Sequence, residues 1–362
     1  MVGLTPDSIY LKYRCLFNGY LPIDETSIGS IEKNAPKKVT EQHLHIVDKL
    51  YGRYFSIEWL NLFEAPYGSS EKMNYYNHGG NINLPIIGEM RVPYRRIPIY
   101  KVNCIRDIEN SLEEIVKYNP SHKILLRGQN EIFTTKREAG ELQFFYGNEN
   151  VVEPSFLPSF SRTSYKEKDI VSAWHNLADL VVMNLHEENI SFDVVKKTEL
   201  FHLFALGLAQ HYGLPSVGLD LTDNIYVALW FALNIAKYSP NEPVQATLIS
   251  KDQSDANIYV FRCPRPTYFS YKELNINLGN ERPIRQSAYF NYCGWGMAKN
   301  QLAMNLVAVF NIDSSFEQYL PDNYLSYLFP KVDEDKVLQV LLNIKNKYIG
   351  TKFGELLERI YV

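Results

Sequence analysis

The sequence predicts an α+β protein. Three features lead to this class: short apolar runs typical of strands, other segments with apolar residues at helical spacing, and an irregular order of the two. A doubly wound sheet would require strands and helices to alternate along the chain, so the irregular order favours α+β. The 362 residues, 46% of them hydrophobic and 22% charged, are typical of a globular protein with a substantial core.

Residues 1–97 are expected to form a loop-rich N-terminal region, because Gly and Pro recur throughout them. One amphipathic helix is expected over Thr40–Tyr54, with Thr40 as its N-cap. The chain has 26 tyrosines, many of them in its first hundred residues. Tyrosine suits interfaces and base stacking, but it also serves as an amphipathic filler in loop-rich folds. The paired prolines of Pro93–Pro98 favour extended chain and mark a boundary.

From Val102 the pattern of elements is sharper. Apolar residues at helical spacing predict a helix from Ile105 to about Tyr118, which Asn119-Pro120 would end. The remaining expected elements are a strand at Lys123–Leu126, helices at Lys168–His186 and Lys197–His211 (the latter ended by Gly213), a strand at Val217–Leu221, a helix from Asp223 to Lys237, strands at Gln245–Leu248, Asn257–Arg262 and Leu302–Phe310, and helices at Asp333–Asn346 and Phe353–Tyr361. We therefore divide the chain into a tyrosine-rich region (1–97), a central domain (98–335) and a C-terminal helical extension (336–362).

The composition argues against several classes of protein. A net charge of −4 gives no global attraction to nucleic acid or to an anionic membrane, although a local basic groove is compatible with it. The longest nearly unbroken apolar run, Ile225–Ala236, is shorter than the roughly 20 residues of a membrane span. Because the first residues lack a signal-peptide pattern, we expect a cytoplasmic protein without a membrane partner. The four cysteines form no CxxC pair and are expected to be reduced and buried.

Arg127 and Gly128 follow a predicted buried strand. An arginine there can present its guanidinium to a phosphate, and a glycine lets a ligand approach the backbone. The alternative is an arginine paired with a structural carboxylate. Asp220, which lies between Leu219 and Leu221 on a short apolar strand, must be paired if it is buried, and pairing with Arg127 would explain both residues.

Other polar residues lie at the ends of predicted elements. His211 ends a helix, where it could donate to unpaired carbonyls or point into a cleft for hydrogen bonding or proton transfer. Thr222 or Asp223 is expected to be the N-cap of the next helix. The segment Arg282–Gln286 has two arginines and an amide, which suit phosphate or ribose contacts but are equally common in a solvated loop.

Familiar motifs for nucleotide, metal or nucleophile sites are absent from the sequence. It contains no P-loop, GxGxxG, HExxH or GxSxG. His43 and His45 are two residues apart, and His175 and Asp179 share a helix face, but no third ligand has convincing spacing. We therefore expect no metal site.

The ordered set of these segments resembles the FRG domain family of bacteria and phages. The resemblance covers roughly residues 98–335 and rests mainly on Ala209–Thr222, which is similar to A-Q-H-Y-G-L-P-T-R-L-L-D-W-T of that family. The chain departs from this pattern at Val217, where the family has arginine, and at Leu221, where it has tryptophan. If the missing arginine holds substrate, either Arg282 or Arg285 replaces it or activity is lost. The other matching segments are Leu126–Gln129, Pro158–Arg162, Arg282–Gln286 and Leu328–Pro330.

The FRG family is similar to ADP-ribosyltransferases, and this resemblance implies a split mixed or antiparallel β-sheet core, surrounded by helices, that binds NAD as substrate. No glutamate occupies the position where a carboxylate would stabilise an oxocarbenium-like centre, so Gln286 or Asp220 would have to act there. The resemblance implies catalytic roles for His211, Asp220 and Gln286, and cofactor contacts from Arg127, Gly128, Gln129, Tyr212 and Arg282.

Two functions from different classes follow. The first is an NAD-dependent ADP-ribosyltransferase-like effector that acts on a nucleic acid or protein, such as a bacterial toxin or phage-defence protein with an antitoxin or regulatory partner. The second is a non-catalytic RNA- or protein-binding module whose motif residues form a structural network around Asp220. A nucleic-acid-cleaving enzyme is the least favoured class, because the sequence offers no metal cluster.

Overall fold

The structure, a computed structural model, describes only part of the chain. The described residues are 45–48, 53–56, 79–92, 95–137, 139, 150–162, 173–174, 176–181, 183–184, 207–239, 242–250, 255–264, 267–273, 278–292 and 300–362.

The strands and helices of this part have the following bounds. The strands are β1 (His45–Asp48), β2 (Arg53–Ser56), β3 (Ile86–Val92), β4 (Arg95–Lys101), β5 (Lys123–Gln129), β6 (Gly218–Thr222), β7 (Asn234–Lys237), β8 (Gln245–Leu248), β9 (Asn257–Cys263), β10 (Tyr268–Phe269), β11 (Ala288–Tyr292) and β12 (Leu306–Asn311). The helices are α1 (Ile105–Tyr118), α2 (Ile225–Leu233), α3 (Glu281–Arg285), α4 (Tyr324–Leu328), α5 (Lys336–Lys347) and α6 (Lys352–Leu357). Residues 173–174, 176–181, 183–184 and 207–211 are also helical.

Eight of these strands form one mixed sheet in the order β10-β11-β6-β5-β9-β12-β4-β3. Strands β12 and β4 pair in parallel, and the other neighbours pair antiparallel. The predicted α+β class with a mixed sheet is therefore confirmed. The sheet is hydrogen-bonded across its width, but β5 and β6 share only the Leu126–Thr222 pair. In contrast, β5 pairs with β9 from Lys123 to Gln129, so the sheet is weakest between β5 and β6.

Both faces of the sheet are covered. On β9, Ile258 and Val260 face a cluster that includes buried residues of α1 and α2. The alternate residues Tyr259 and Phe261 face the opposite cluster, where the ring of Phe156 packs edge-on against both of them. This alternation follows the two-residue period of a strand and explains why all of β9 is buried.

A third apolar cluster joins the C-terminal helices to the rest of the molecule. Val337 and Leu341 of α5 and Ile360 after α6 belong to the same buried cluster as Trp174 and Phe290. Residues 336–362 thus share a core with the proposed central domain. At the other proposed boundary, β4 spans positions 97 and 98 and pairs with both β3 and β12.

Several predicted elements match the structure. The helix from Ile105 to Tyr118 is confirmed as α1, with Asn119 as its C-cap. The strand that begins at Lys123 is confirmed and continues through Arg127 to Gln129. Residues 207–211 are helical, and Gly213 has a φ of +98°, the left-handed conformation expected of a glycine that ends a helix.

Other predictions were wrong. The expected helix over Thr40–Tyr54 is contradicted by β1 and β2, which pair as antiparallel strands; the other residues of that segment lie outside the described part. The N-cap of α2 is Asn224 rather than the predicted Thr222 or Asp223. Thr222 instead ends β6, and its hydroxyl donates to the backbone oxygen of Gln286. The helix ends at Leu233 rather than Lys237, since the Asn234 side chain donates to the carbonyl of Trp230 and the backbone becomes β7.

Candidate functional site

A cavity of about 250 Å³ opens where β5 and β6 separate. Arg127 is the basic residue and Asp220 the acidic residue among those that line it. Its volume lies just below the range of about 300–1000 Å³ that holds drug-sized ligands. The lining residues are Leu126, Arg127, Gly128, Ser159, Gln210, Gly213, Leu214, Asp220, Leu221, Thr222, Val227, Ala228, Phe231, Tyr238, Gln286, Ala288, Phe329 and Tyr361.

Arg127 joins the two separating strands. Its Nη1 donates to the backbone oxygen of Asp220 at 2.7 Å. The two residues are therefore in contact, but this hydrogen bond ends on the backbone oxygen, whereas the prediction was a pairing of Arg127 with the carboxylate. A permanent positive charge is thereby held in the cavity wall, on a regular strand.

The carboxylate of Asp220 is held by neighbours from the FRG-like motif. His211 Nδ1 lies 2.8 Å from Oδ1, and Gln210 Nε2 donates to Oδ2 at 3.2 Å. The amide of Gln210 is oriented in turn, because its oxygen accepts from Ser216 Oγ at 2.6 Å. Ser216 Oγ also accepts from the backbone N–H of Gly218 at 3.2 Å. These contacts fix the orientation of the carboxylate.

Asp220 is ionised at neutral pH and reaches the cavity. Burial raises the pKa of Asp220, but the His211 imidazole at 2.8 Å, the hydrogen bond from the Gln210 amide and the charge of Arg127 outweigh that effect, so that the pKa lies below its usual 3.8. Its side chain is 32% exposed, whereas that of His211 is 1% exposed. A negative charge in a cavity beside a guanidinium is suited to binding a polar ligand that carries both hydroxyl and anionic groups.

Comparison with known families gives one match. Residues 143–240 match the FRG domain. The predicted resemblance to the FRG domain is thus confirmed, over a shorter span than the expected 98–335. We call these residues the FRG segment. It contributes Gln210 and Asp220 to the cavity, whereas Arg127 and Tyr361 also line the cavity but come from outside the FRG segment. No curated protein and no solved structure matches the chain, so the likeness to ADP-ribosyltransferases remains a prediction.

Two further predicted residues of the FRG segment do not line the cavity. His211 is buried beside Asp220, and its ring centroid lies 5.8 Å from that of Tyr271. Tyr212 is fully buried, and its hydroxyl donates to the carboxylate of Asp335 at 3.0 Å. The expectation that these two side chains line the site is therefore wrong, because both are directed into the core.

Arg282, a predicted cofactor contact, is also fully buried. Its guanidinium lies over the rings of Tyr361, Tyr212 and Phe329, with distances to the ring centroids of 4.6, 5.2 and 5.8 Å. Its Nη2 donates to the backbone oxygen of Tyr361 at 3.2 Å. Since it is not among the lining residues, Arg282 supports an aromatic wall from behind rather than reaching the cavity.

The other predicted residues differ in how they relate to the cavity. Gln286 lines it, and its amide nitrogen donates to the backbone oxygen of Leu328 at 3.0 Å. Gln129 ends β5 beyond the lining residues. Arg285 lies on the surface, with ion pairs to Glu281 and Glu334. Neither Arg285 nor Arg282 therefore replaces the arginine that the family has at the position of Val217. Val217 itself is buried in the core.

Gly128 lines the cavity, but packing explains why it is a glycine. A Cβ atom at this position would lie 1.8 Å from the backbone oxygen of Ala228 and 2.6 Å from the backbone nitrogen of Ala232. Only glycine therefore allows α2 to lie this close to β5. The predicted reason, close approach of a ligand to the backbone, is not needed to explain the residue.

Sequence reasoning missed the aromatic side of the cavity. Phe231, Tyr238, Phe329 and Tyr361 all line it, and the rings of Tyr238 and Tyr361 lie 4.6 Å apart at an angle of 52°. Burial raises the pKa of Tyr361 above the usual 10, so its hydroxyl group remains protonated. The only available signal was the Phe-Pro match at Phe329, because Tyr238 and Tyr361 follow no spacing that relates them to Asp220.

Two searches of the described residues were negative. No group of three or more His, Cys, Asp or Glu side chains within them could hold a metal ion. Among the helices of that part, none is long and apolar enough to cross a bilayer.

Proposed function

We propose that the protein binds NAD in this cavity, breaks the bond between nicotinamide and ribose, and transfers ADP-ribose to a macromolecular acceptor. The observation that carries the proposal is the ionised, oriented carboxylate of Asp220 at a cavity that also contains Arg127 and four aromatic rings. The match to the FRG domain supports it, and so does the weak β5–β6 junction, since the resemblance implies a split sheet.

The chemistry assigns a specific task to Asp220. When the bond from ribose C1′ to the nicotinamide nitrogen breaks, its electron pair leaves with nicotinamide and positive charge develops at the ribose. A fixed carboxylate stabilises that charge and can accept hydrogen bonds from ribose hydroxyls. A nucleophile of the acceptor then bonds to C1′ and loses its proton. Asp220 takes the role for which the sequence offers no glutamate.

The other lining residues would hold the rest of the substrate. The guanidinium of Arg127 suits a phosphate, and the rings of Phe231, Tyr238, Phe329 and Tyr361 suit a planar ring. A cavity of about 250 Å³ holds a ring and its ribose rather than a complete dinucleotide. The remainder of NAD and the acceptor would lie outside it. An effector of this kind, such as a toxin or phage-defence protein, would recognise a nucleic acid or protein target and could have an antitoxin.

The test is release of nicotinamide from labelled NAD by the purified protein, with total cell extract as the source of acceptor. Arg127→Ala and Asp220→Asn are expected to lower kcat/KM at least about 100-fold, the usual effect of removing one group that stabilises charge in the transition state. Arg285→Ala is the matched control, because it removes a surface arginine outside the cavity. Absence of nicotinamide release by the unmodified protein would exclude the proposal.

The buried contacts of Asp220 with His211 and Gln210 also fit a second function, a non-catalytic RNA- or protein-binding module. Thermal melts of Arg127→Ala and Asp220→Asn separate the two. Loss of nicotinamide release with unchanged melting supports the enzyme. Unfolding of both variants, in a protein whose unmodified form releases no nicotinamide, supports the structural network.

A further inference from the structure

His211 and Gln210 both contact Asp220, but only Gln210 lines the cavity. His211 does not line it, and its side chain is 1% exposed, yet its Nδ1 lies 2.8 Å from Asp220 Oδ1. Gln210 lines it and donates to the other oxygen, Oδ2, at 3.2 Å. Each carboxylate oxygen is thus approached by one nitrogen from neighbouring residues of the same helix end.

The orientation of both groups is fixed by what surrounds them. Ser216 donates to the amide oxygen of Gln210, so the amide nitrogen must face Asp220. The imidazole of His211 is enclosed in the core beside Tyr271. A ligand in the cavity would therefore meet Asp220, while the imidazole remains behind it.

We infer that His211 is a positioning residue, which together with Gln210 holds the Asp220 carboxylate in one orientation at the cavity. His211 itself does not contact the ligand. This inference rests on the proposed function, since Asp220 is there assigned the charge-stabilising role. It also replaces the expected catalytic role of His211 with one exerted through another residue.

The effect of His211 on the pKa of Asp220 can be measured. The groups that influence Asp220 or are influenced by it are His211, Arg127, Tyr238, Tyr271 and Tyr361, which approach from different elements. Of these, His211 lowers the pKa of Asp220 through the charge that its imidazole carries when protonated, at a distance of 2.8 Å from Nδ1 to Oδ1. Removing it leaves the effect of burial less opposed, so the pKa of Asp220 rises.

The test compares His211→Asn with His211→Leu. Asparagine places an N–H donor close to the position of Nδ1 but carries no charge, whereas leucine offers neither. We expect His211→Leu to lower kcat for nicotinamide release about 10- to 100-fold with a smaller change in KM, and His211→Asn to recover part of the loss. The acidic limb of the kcat/KM profile should move to higher pH in the order wild type, Asn, Leu. His122→Asn is the control, because His122 lies outside the cavity.

A second measurement does not depend on turnover. In the full-length protein labelled with ¹³C at aspartate carboxyl carbons, the resonance assigned to Asp220 through Asp220→Asn is titrated by NMR. We expect its pKa to be lowest in the wild type and higher in His211→Leu; Gln210→Met, at a partly buried position, provides a milder variant with the same expected direction.

The outcomes separate this inference from the proposed function. If the wild type releases no nicotinamide, the proposed function fails, whereas the titration still tests whether His211 and Gln210 control Asp220. Equal Asp220 pKa values in the wild type and in all three variants would overturn the inference. So would a uniform fall in kcat at every pH, because that is the behaviour of a residue that only stabilises the fold.

Discussion

Two carboxylates of this molecule have opposite pKa shifts. Asp220 is partly exposed in the cavity, and its neighbours lower its pKa. Asp335 is fully buried, and burial raises its pKa although Arg282 and two backbone N–H groups act against that rise. Burial raises the pKa of both groups, and the difference follows from the neighbours, which outweigh burial at Asp220 but not at Asp335. It makes Asp220 the anion available to a ligand and Asp335 a structural group.

Asp335→Ala is expected to destabilise the protein by at least about 2 kcal/mol. The carboxylate accepts hydrogen bonds from Tyr212 and from the backbone of Arg282, and it caps α5 through the N–H of Leu338. Chemical denaturation measures the loss, with Asp333→Ala at an exposed position as the control. Equal stability of the two variants would contradict the structural role assigned to Asp335.

For single residues, the sequence identifies which side chains need partners better than it identifies the contacts they make. Arg127 and Asp220 stand out because polar groups within apolar strands require partners. The contact between them could not be resolved further, since a sequence does not distinguish a backbone oxygen from a carboxylate as the acceptor. Arg282 was misassigned because an arginine in a loop-like segment is usually solvated. Its burial depends on three rings that come from distant parts of the chain.

Among the elements, the contact between α2 and β5 determines the shape of the cavity. Val227, Ala228 and Phe231 of α2 line the cavity together with Arg127 and its neighbours on β5. Because α2 approaches the strand closely at Gly128, the helix and Arg127 occupy the same wall. The position of the guanidinium therefore depends on the absence of a side chain at the next residue.

Gly128→Ala is expected to destabilise the protein by about 3 kcal/mol, near the upper end of the range for overpacking, because the new Cβ would collide with backbone atoms of α2 that cannot rotate away. Gly88→Ala is the matched control. It also lies in a strand, and its added Cβ would meet only the side chain of Ile99 at 3.4 Å. Thermal unfolding of the two variants tests the difference, and similar melting temperatures would show that α2 does not require glycine there.

The elements also show where local patterns are sufficient. Both ends of the helix α1 were predicted closely because its apolar spacing and its Asn119-Pro120 ending agree. The end of α2 was not, because Ile235 and Ala236 continue the apolar pattern of the helix. Pairing of β7 with β8 overrides that pattern, which is a tertiary effect that a local window does not contain.

For the whole molecule, the cavity combines residues of two regions into which the sequence divided the chain, 98–335 and 336–362. The FRG segment supplies Asp220, β5 supplies Arg127, and the last residues supply Tyr361. The sequence suggested a separate C-terminal extension at 336–362, because no periodicity relates a terminal helix to the surface that it covers. In the structure, α5 and α6 share a buried cluster with Trp174, Leu208 and Val217.

Leu341→Ala tests whether the C-terminal helices belong to the same cooperative unit. Leu341 is fully buried in that shared cluster, so its truncation should cost about 2–5 kcal/mol and lower the stability of the entire described core. Circular dichroism and intrinsic fluorescence should report one coincident transition, shifted to lower denaturant. Ile349→Ala, at a position that is 74% exposed in the same region, should change stability by less than about 0.5 kcal/mol. Two separate transitions in Leu341→Ala, with slow hydrogen exchange retained in β9, would instead identify residues 336–362 as an independent extension.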